Sequence, residues 1–301
     1  MAWLGYGPLG LVLSVQRPPM TETDNGDTSV PSTFQFATGG TVSDITDPYD
    51  GLTYTVHVFT ADGTFHANEA LDVDYLIVAG GGGGGSSFGG GAGAGGLLSN
   101  VGGTKLSLAA TSHSITIGDG GAGGDPNAGR DGSPGSDTSA LGFTAVGGGF
   151  GPYRATSGGT GGSGGGRGMH GDFAGSGAAG QGFDGGDRGP GGRSGGGGGA
   201  GGTPASPSSS GGDGGDGIAS TIDGTSKFYA GGGGGATMNA GETGGTGGSG
   251  VGGDASDYDT GGPGDSGRPN TGSAGGGACD STSPGGDGAS GLVIIRYRRT
   301  I

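Results

Sequence analysis

Seven residues that read as a strand, Val73-Asp74-Tyr75-Leu76-Ile77-Val78-Ala79, run without a break into six consecutive glycines, Gly80–Gly85. Glycine loses more backbone entropy on ordering than any other residue, roughly 0.5–1 kcal/mol relative to alanine. With 91 glycines in 301 residues, two outcomes are physically open. Either the tracts stay disordered, or glycine is there because only a chain without Cβ packs so closely. Leu, Ile, Val and Phe together fall below the ~20% usual for globular chains, which taken alone favours disorder.

The order of the residues argues against that. The strand-to-glycine join recurs as Phe143-Thr144-Ala145-Val146 before Gly147–Gly149 and as Phe228-Tyr229-Ala230 before Gly231–Gly235. A second frame, Gly-Gly-x-Gly-x-[Asp/Ser]-Gly-apolar, occurs at Gly211–Ile218, Gly244–Val251 and Gly285–Leu292. Uneven spacing of these repeats fits a layered array rather than a strict solenoid. Glycine tracts readily adopt the extended threefold helix, which rises ~3.1 Å per residue and has no internal hydrogen bonds. Its N–H and C=O groups must find partners elsewhere, and side-by-side packing of such helices supplies them. Collagen is excluded, because Gly-X-Y is not held in register and 14 prolines are too few.

Residues 31–79 read as β. Phe34-Gln35-Phe36 opens, and Thr53–Thr60 alternates Tyr54, Val56 and Val58 with Thr55, His57 and Phe59. Asp62-Gly63, between this run and Thr64-Phe65-His66, predicts a hairpin with a type I′ turn. Val73–Ala79 and Leu292-Val293-Ile294-Ile295-Arg296-Tyr297 are apolar enough for strands covered on both faces. Their simplest arrangement is as a pair, which places the first glycine helix beside the return strand. Leu106–Leu108 and Ser114–Ile117 are expected to form a further pair. Nothing has helical spacing. The predicted architecture is mainly β with no α-helix: a small β-sandwich base (31–79 with 291–301) carrying a packed polyglycine-II-like body (80–290). Residues 1–30 differ from the rest. Their apolar positions, Trp3, Leu4, Leu9, Leu11 and Leu13, are broken by Gly and Pro and lack the positive n-region of a signal peptide. They read either as a loose terminus or as an attachment arm.

Charge and motifs exclude several functions. A net charge of −15 and only two lysines, Lys105 and Lys227, argue against nucleic acid. No apolar run of ~18 residues is present to insert in a membrane. Cys279 is alone, so no internal disulfide forms. Gly80–Gly85 satisfies the dinucleotide motif, but Ser86-Ser87-Phe88-Gly89-Gly90-Gly91 cannot supply the helix that holds the pyrophosphate. Gly161-Gly162-Ser163-Gly164-Gly165 matches the serine-hydrolase elbow, a match that arises by chance at this glycine content. Gly211–Ala219 fits a calcium nonapeptide with Asp213 and Asp216 as ligands, yet the sister frames carry Ser249 and Ser290 at the ligand position. His57, His66, His113 and His170 show no ligand spacing, the first two falling on sheet faces. Asp184/Asp187 and Asp257/Asp259 read as solvated turn residues. No cofactor is implied.

In order along residues 50–301, Tyr54–Thr60, Asp62-Gly63-Thr64-Phe65, Val73–Ala79 with its glycines, Phe228-Tyr229-Ala230 with its glycines and Gly291–Tyr297 form a succession. That succession resembles the glycine-rich domain virion proteins of tailed, especially marine, bacteriophages. The resemblance implies a virion protein, often a tail fibre or fibre-tip adhesin, with a sandwich of threefold glycine helices and host-contacting loops at its tip. Between Gly147 and Gly217 the chain departs from the pattern, with shorter tracts and intruding Arg, Asp and Pro.

Aromatic and arginine side chains in the body are the candidate receptor-binding residues, because they bury area at low entropic cost. They are Phe150, Tyr153 and Arg154; Arg167, His170 and Phe173; Phe183, Arg188 and Arg193; and Tyr258. The alternative is that they fill gaps between glycine helices. The expectation is a non-enzymatic tail fibre or adhesin of the virion, present in multiple copies or as a homo-oligomer. It would be attached to other virion proteins through the N-terminal arm and would contact a bacterial surface glycan or protein. A capsid-attached fibre or decoration protein of the same fold is the second reading. A bacterial extracellular-matrix or surface protein is the third.

Overall fold

The join at Ala79–Gly80 is buried, and its hydrogen bonds define the body. In the computed structural model, which describes residues 36–47 and 50–298, no α-helix occurs among the described residues. Gly80 and Gly83 donate their N–H to Ser136 and Ser133, Gly81 and Gly84 to Ala289 and Gly286, and Gly82 and Gly85 to Gly93 and Gly90, all at 2.8–3.1 Å. Every third residue thus meets the same neighbour, the signature of a threefold helix. On all three donor sides the partner numbers descend, so these neighbours run antiparallel. The carbonyls follow the same rule with opposite polarity. Gly80 and Gly83 accept from Gly148 and Gly151, Gly81 and Gly84 from Gly121 and Gly124, and Gly82 and Gly85 from Gly275 and Ala278, all parallel. Gly80–Gly85 is therefore enclosed by six other segments, and its backbone polar groups are satisfied by them.

The same packing extends outward. The pass through residues 90–96 donates alternately to Gly195 and Gly198, Gly275 and Gly272, and Gly149 and Val146. Gly231–Gly235 is bonded to passes around residues 92, 197, 212–215, 245–248, 253 and 274–277. Gly247 has φ −71° and ψ 145°, the values of an extended threefold helix, and none of Gly80–Gly85 or Gly231–Gly235 has positive φ. A Cβ added at any of Gly80–Gly85 would sit 2.0–2.2 Å from a neighbour's carbonyl oxygen. The tracts are glycine because the lattice leaves no room for anything else.

Strands β1 (Ala37–Thr38), β2 (Thr41–Thr46), β3 (Thr53–Phe59), β4 (Gly63–Ala67) and β5 (Leu71–Val78) lead into the body. The short strands β6 (Leu97–Ser99), β7 (Leu106–Leu108), β8 (Ser112–Thr116), β9 (Thr138–Ala140) and β10 (Phe143–Ala145) branch from it. A hairpin, β11 (Ile218–Ser220) and β12 (Lys227–Tyr229), precedes the tract at Gly231, and β13 (Leu292–Arg298) closes. One sheet has the order β2-β3-β13-β5-β6, with β7 also on β5; the second has the order β1-β4-β8-β9-β10. The expected pair forms antiparallel, Leu292 opposite Val78 through to Tyr297 opposite Val73, and β13 takes β3 on its other side. β6 to β10 lie within 80–290 yet belong to the two base sheets, so the base draws more of its strands from the glycine-rich region than the sequence indicated.

Both faces of the central strands are buried, for two different reasons. Val73, Tyr75, Ile77, Val293, Ile295 and Tyr297 meet Phe65, Ile115 and Ala140 of the second sheet in the core between the sheets. Val56, Leu76, Val78, Leu292 and Ile294 face the other way, onto Ala94, Leu97, Ile222, Tyr229 and Ala230 of the body. Arg296 lies on this second face. Its Nη1 is 2.7 Å from Asp47 and its Nε 3.0 Å from Asp74, Lys105 pairs with Asp74 at 3.0 Å, and the guanidinium stacks 4.6 Å from the Tyr54 ring centroid.

Two local expectations need correction. Asp62-Gly63 does not close a hairpin. β3 pairs with β2 and β13, whereas β4 pairs with β1 and β8. The chain instead crosses from one sheet to the other there, which lets Phe59 and Phe65 enter the same core, and Asp62 accepts from the Ile117 N–H at 2.8 Å. Leu106–Leu108 likewise joins β5, not the strand at 112–116, which joins β4. His57 lies between the sheets. It is bonded to the Gly39 carbonyl at 2.7 Å, and burial pushes its pKa down. His66 is exposed and bonded to Ser112. The arm residues Trp3, Leu4, Leu9, Leu11 and Leu13, with Phe34, lie outside the described residues.

Candidate functional site

The glycine passes run between the β base and an opposite, distal end where they reverse. Turns at 86–89, 125–131, 152–157, 167–171, 188–193, 237–242, 257–262 and 279–284 meet there. The first of these is the hub. Ser86 N–H donates to Arg130, Gly90 to Pro152, Phe88 to Ala278, and Ala236 to the Gly89 carbonyl, at 2.7–3.0 Å. Ser87 and Phe88 take left-handed backbone angles (φ 53° and 65°), a strain of roughly 1–3 kcal/mol each that the surrounding bonds must offset. Phe88 in this conformation stacks on Tyr258, ring centroids 6.3 Å apart and 27° between planes.

Most of the sequence candidates are brought to this end. Tyr153 sits between two guanidiniums. Arg130 donates to its hydroxyl at 3.0 Å and Arg154 at 2.9 Å, with both cations 5.0–5.4 Å from the ring centroid. The loop is pinned by Asp131, whose Oδ1 accepts from Tyr153 N–H at 2.6 Å and from the Thr156 hydroxyl. The exposed His170 joins it through its N–H on the Arg154 carbonyl, 2.7 Å. Arg167 is held by Gly171 O and Asp187, and Arg188 by Met169 O. Phe173, 61% exposed, follows the 167–171 turn. Phe150 packs over Gly159, where an added Cβ would lie 2.4 Å from its ring, so it fills a gap between passes.

Arg193 has a structural task. It pairs bidentately with Glu242, which also accepts from Thr237 and Asn239. Arg193 and those two donors hold the Glu242 carboxyl down at about 2. This ties the turn at 188–193 to the turn at 237–242. Phe183 is the outlier: it precedes a pass that starts at the base, with its carbonyl on Gly164, so it lies away from the distal turns. Arg130, Phe88 and Glu242 escaped the sequence reading. The polar break Asn127-Ala128-Gly129-Arg130-Asp131 carried the same signal as the other turns and could have flagged Arg130.

The remaining motifs resolve by position. Asp213 accepts from the N–H and hydroxyl of Thr246, and Asp216 from Ser249, because the frames at 211–218 and 244–251 lie side by side 33 residues out of phase. No group of three or more His, Cys, Asp or Glu side chains placed to hold a metal occurs among the described residues. Ser163 is fully buried with its hydroxyl unpartnered, far from the arrangement a serine nucleophile requires. Cys279 is buried, bonded to the Ser256 carbonyl, and burial pushes its thiol up to about 11. Asp184, Asp257 and Asp259 are more than solvated turn residues: each accepts a backbone N–H, from Gly177, Gly244 and Gly241.

No curated protein matches this chain. The family model of the glycine-rich domain matches residues 60–298, a span that takes in the glycine body with its distal turns and most of the β base, and the chain belongs to that family.

Proposed function

We propose that this protein is a non-enzymatic structural component of a tailed-bacteriophage virion, a fibre or adhesin whose distal turns contact the bacterial surface. The observation that carries this reading is the segregation of parts. A rigid, side-chain-poor body separates a β base from a crown of turns where Tyr153, Arg154, His170, Phe173 and Tyr258 are gathered. Aromatic and guanidinium side chains on rigid turns are favoured binding anchors. The anchors are backed by a lattice, so little conformational entropy is lost on contact. Attachment falls to residues 1–30 and the base, and display in several copies would multiply weak contacts.

The test has two arms. Virions are imaged to place the chain, where tail density supports the fibre reading and capsid density the decoration-protein alternative; absence from every virion sinks both. In parallel, a chain lacking residues 1–30 is followed into particles. Normal incorporation refutes the arm's role, whereas lost incorporation with unchanged melting of the domain supports it.

A further inference from the structure

We infer that the Arg130–Tyr153–Arg154 cluster is an oxyanion site, and that the glycan this end recognises is acidic, bearing uronate carboxylates or phosphates. The inference rests on the adhesin reading for its biological setting but on the cluster's own geometry for its chemistry. Two guanidiniums lie within 3.0 Å of one hydroxyl oxygen. Like charges brought together repel unless a counter-charge is present. Neither arginine has a carboxylate partner among the described residues, although the chain carries a net charge of −15. The adjacent Asp131 makes no ion pair with either guanidinium and accepts instead from the Tyr153 N–H and the Thr156 hydroxyl.

The hydrogen-bond inventory points the same way. The Tyr153 oxygen accepts twice, from Arg130 Nη1 and Arg154 Nε, which leaves its own proton to donate. Each arginine retains further N–H groups. Donors from three side chains on two adjoining turns, Arg130 exposed and Tyr153 and Arg154 half-buried, therefore converge with no ion-pair partner among the described residues. A carboxylate or phosphate is the group that satisfies a planar guanidinium fork. The Tyr153 ring, with both cations 5.0–5.4 Å from its centroid, holds the two guanidiniums side by side. His170, fixed to the Arg154 carbonyl, stands beside the site.

The experiment measures binding of the full chain to three probes: an oligogalacturonate, a phosphorylated mannan oligosaccharide and a neutral oligogalactose. The expected result is binding of one or both acidic probes, none to the neutral one, and weakening as salt rises. The double variant Arg130→Gln/Arg154→Gln should lose at least about tenfold in affinity, and Tyr153→Phe, which keeps the ring but removes the proton, should lose less. Unchanged melting of the variants separates this from misfolding. Equal binding to neutral and acidic probes, no binding to either acidic probe, or undiminished binding by the double variant would each overturn the inference. Adsorption to whole bacteria is read separately. Acidic-probe binding without cell binding leaves the site standing and removes the adhesin reading; cell binding indifferent to the double variant does the reverse.

Discussion

Gly83→Ala isolates the packing principle on which the whole body depends. A Cβ at Gly83 would stand 2.0 Å from the Ala122 carbonyl oxygen, 2.4 Å from its carbon and 2.7 Å from Gly123 N. Ordinary contact needs about 3.5 Å, so the neighbouring pass must shift by roughly 1.5 Å. Its only freedom is against further backbone, since Gly83 lies in a pass with neighbours on six sides. Overpacking of this kind costs about 1–3 kcal/mol. The shift also strains the bonds from Gly83 N–H to Ser133 and from Gly151 N–H to the Gly83 carbonyl, both 2.9 Å, each contributing ~1 kcal/mol. Alanine returns ~0.5–1 kcal/mol by restricting the unfolded chain. The net is a loss of about 2–4 kcal/mol, which for a domain of this size lowers Tm by roughly 5–15 °C. The control is Gly202→Ala, where nothing lies within 4 Å of the added Cβ and φ is not left-handed; it should leave Tm unchanged or slightly raised. Scanning calorimetry reads both. A Gly83→Ala protein that melts within a degree of the parent, or a Gly202→Ala protein equally destabilised, refutes close packing as the reason for the glycine.

Three further outcomes follow from buried or paired charge. Arg296→Met leaves the Asp47 and Asp74 carboxylates buried, with Lys105 still on Asp74; denaturant unfolding should show a loss of about 3–5 kcal/mol, part of it recovered in Asp47→Asn/Arg296→Met. Glu242 has a folded pKa lowered to about 2, so its contribution is complete above the unfolded value of ~4.3 and is lost as pH falls from there towards 2. In Glu242→Gln that part of the acid limb of the stability curve should flatten, and an unaltered limb counts against the Arg193–Glu242 clasp. Tyr54 is pushed up to about 12, chiefly by burial and then by its bond to Asp50. Because the folded state favours the neutral phenol, this stabilisation holds below pH ~10 and fades as pH rises from 10 to 12. An ultraviolet titration of Tyr54→Phe against the parent should therefore remove one late-titrating phenol, and early titration of Tyr54 would contradict its burial.

The parts of the fold legible in the sequence were those set by a strong one-dimensional signal. Two apolar runs, at 73–79 and 292–297, found each other because both need cover on two faces, one from a second sheet and one from the body. What stayed hidden was the choice between sheets. Asp62-Gly63 has the local chemistry of a hairpin turn, but a sandwich corner reverses the chain too, and only the burial of Phe59 and Phe65 in one core distinguishes them. The distal crown was partly legible, since polar breaks in glycine mark reversals. Which break meets which was not, because neighbours in this lattice are set by the three-residue rotation of each pass rather than by sequence separation.

The acidic residues show how the lattice ends. A threefold helix directs N–H groups to three sides, and at the rim one side has no neighbouring pass. Aspartates occupy those places. Asp287 accepts from Gly123, Asp137 from Gly147, Asp184 from Gly177, Asp213 from Thr246 and Asp254 from Gly247, at 2.6–2.8 Å. A carboxylate accepts more strongly than a carbonyl, and it can be placed at an outward third position where a Cβ has room. The frame Gly-Gly-x-Gly-x-[Asp/Ser]-Gly thus describes a rim pass, with Asp213, Thr246 and Asp287 at its first outward position and Asp216, Ser249 and Ser290 at its second. Much of the acidity that argues against nucleic acid in the sequence is then a consequence of sealing a backbone core. It also sharpens the contrast with the distal crown, where Arg130 and Arg154 stand together with no ion pair among the described residues, a departure from the body's rule that edge groups are partnered from within.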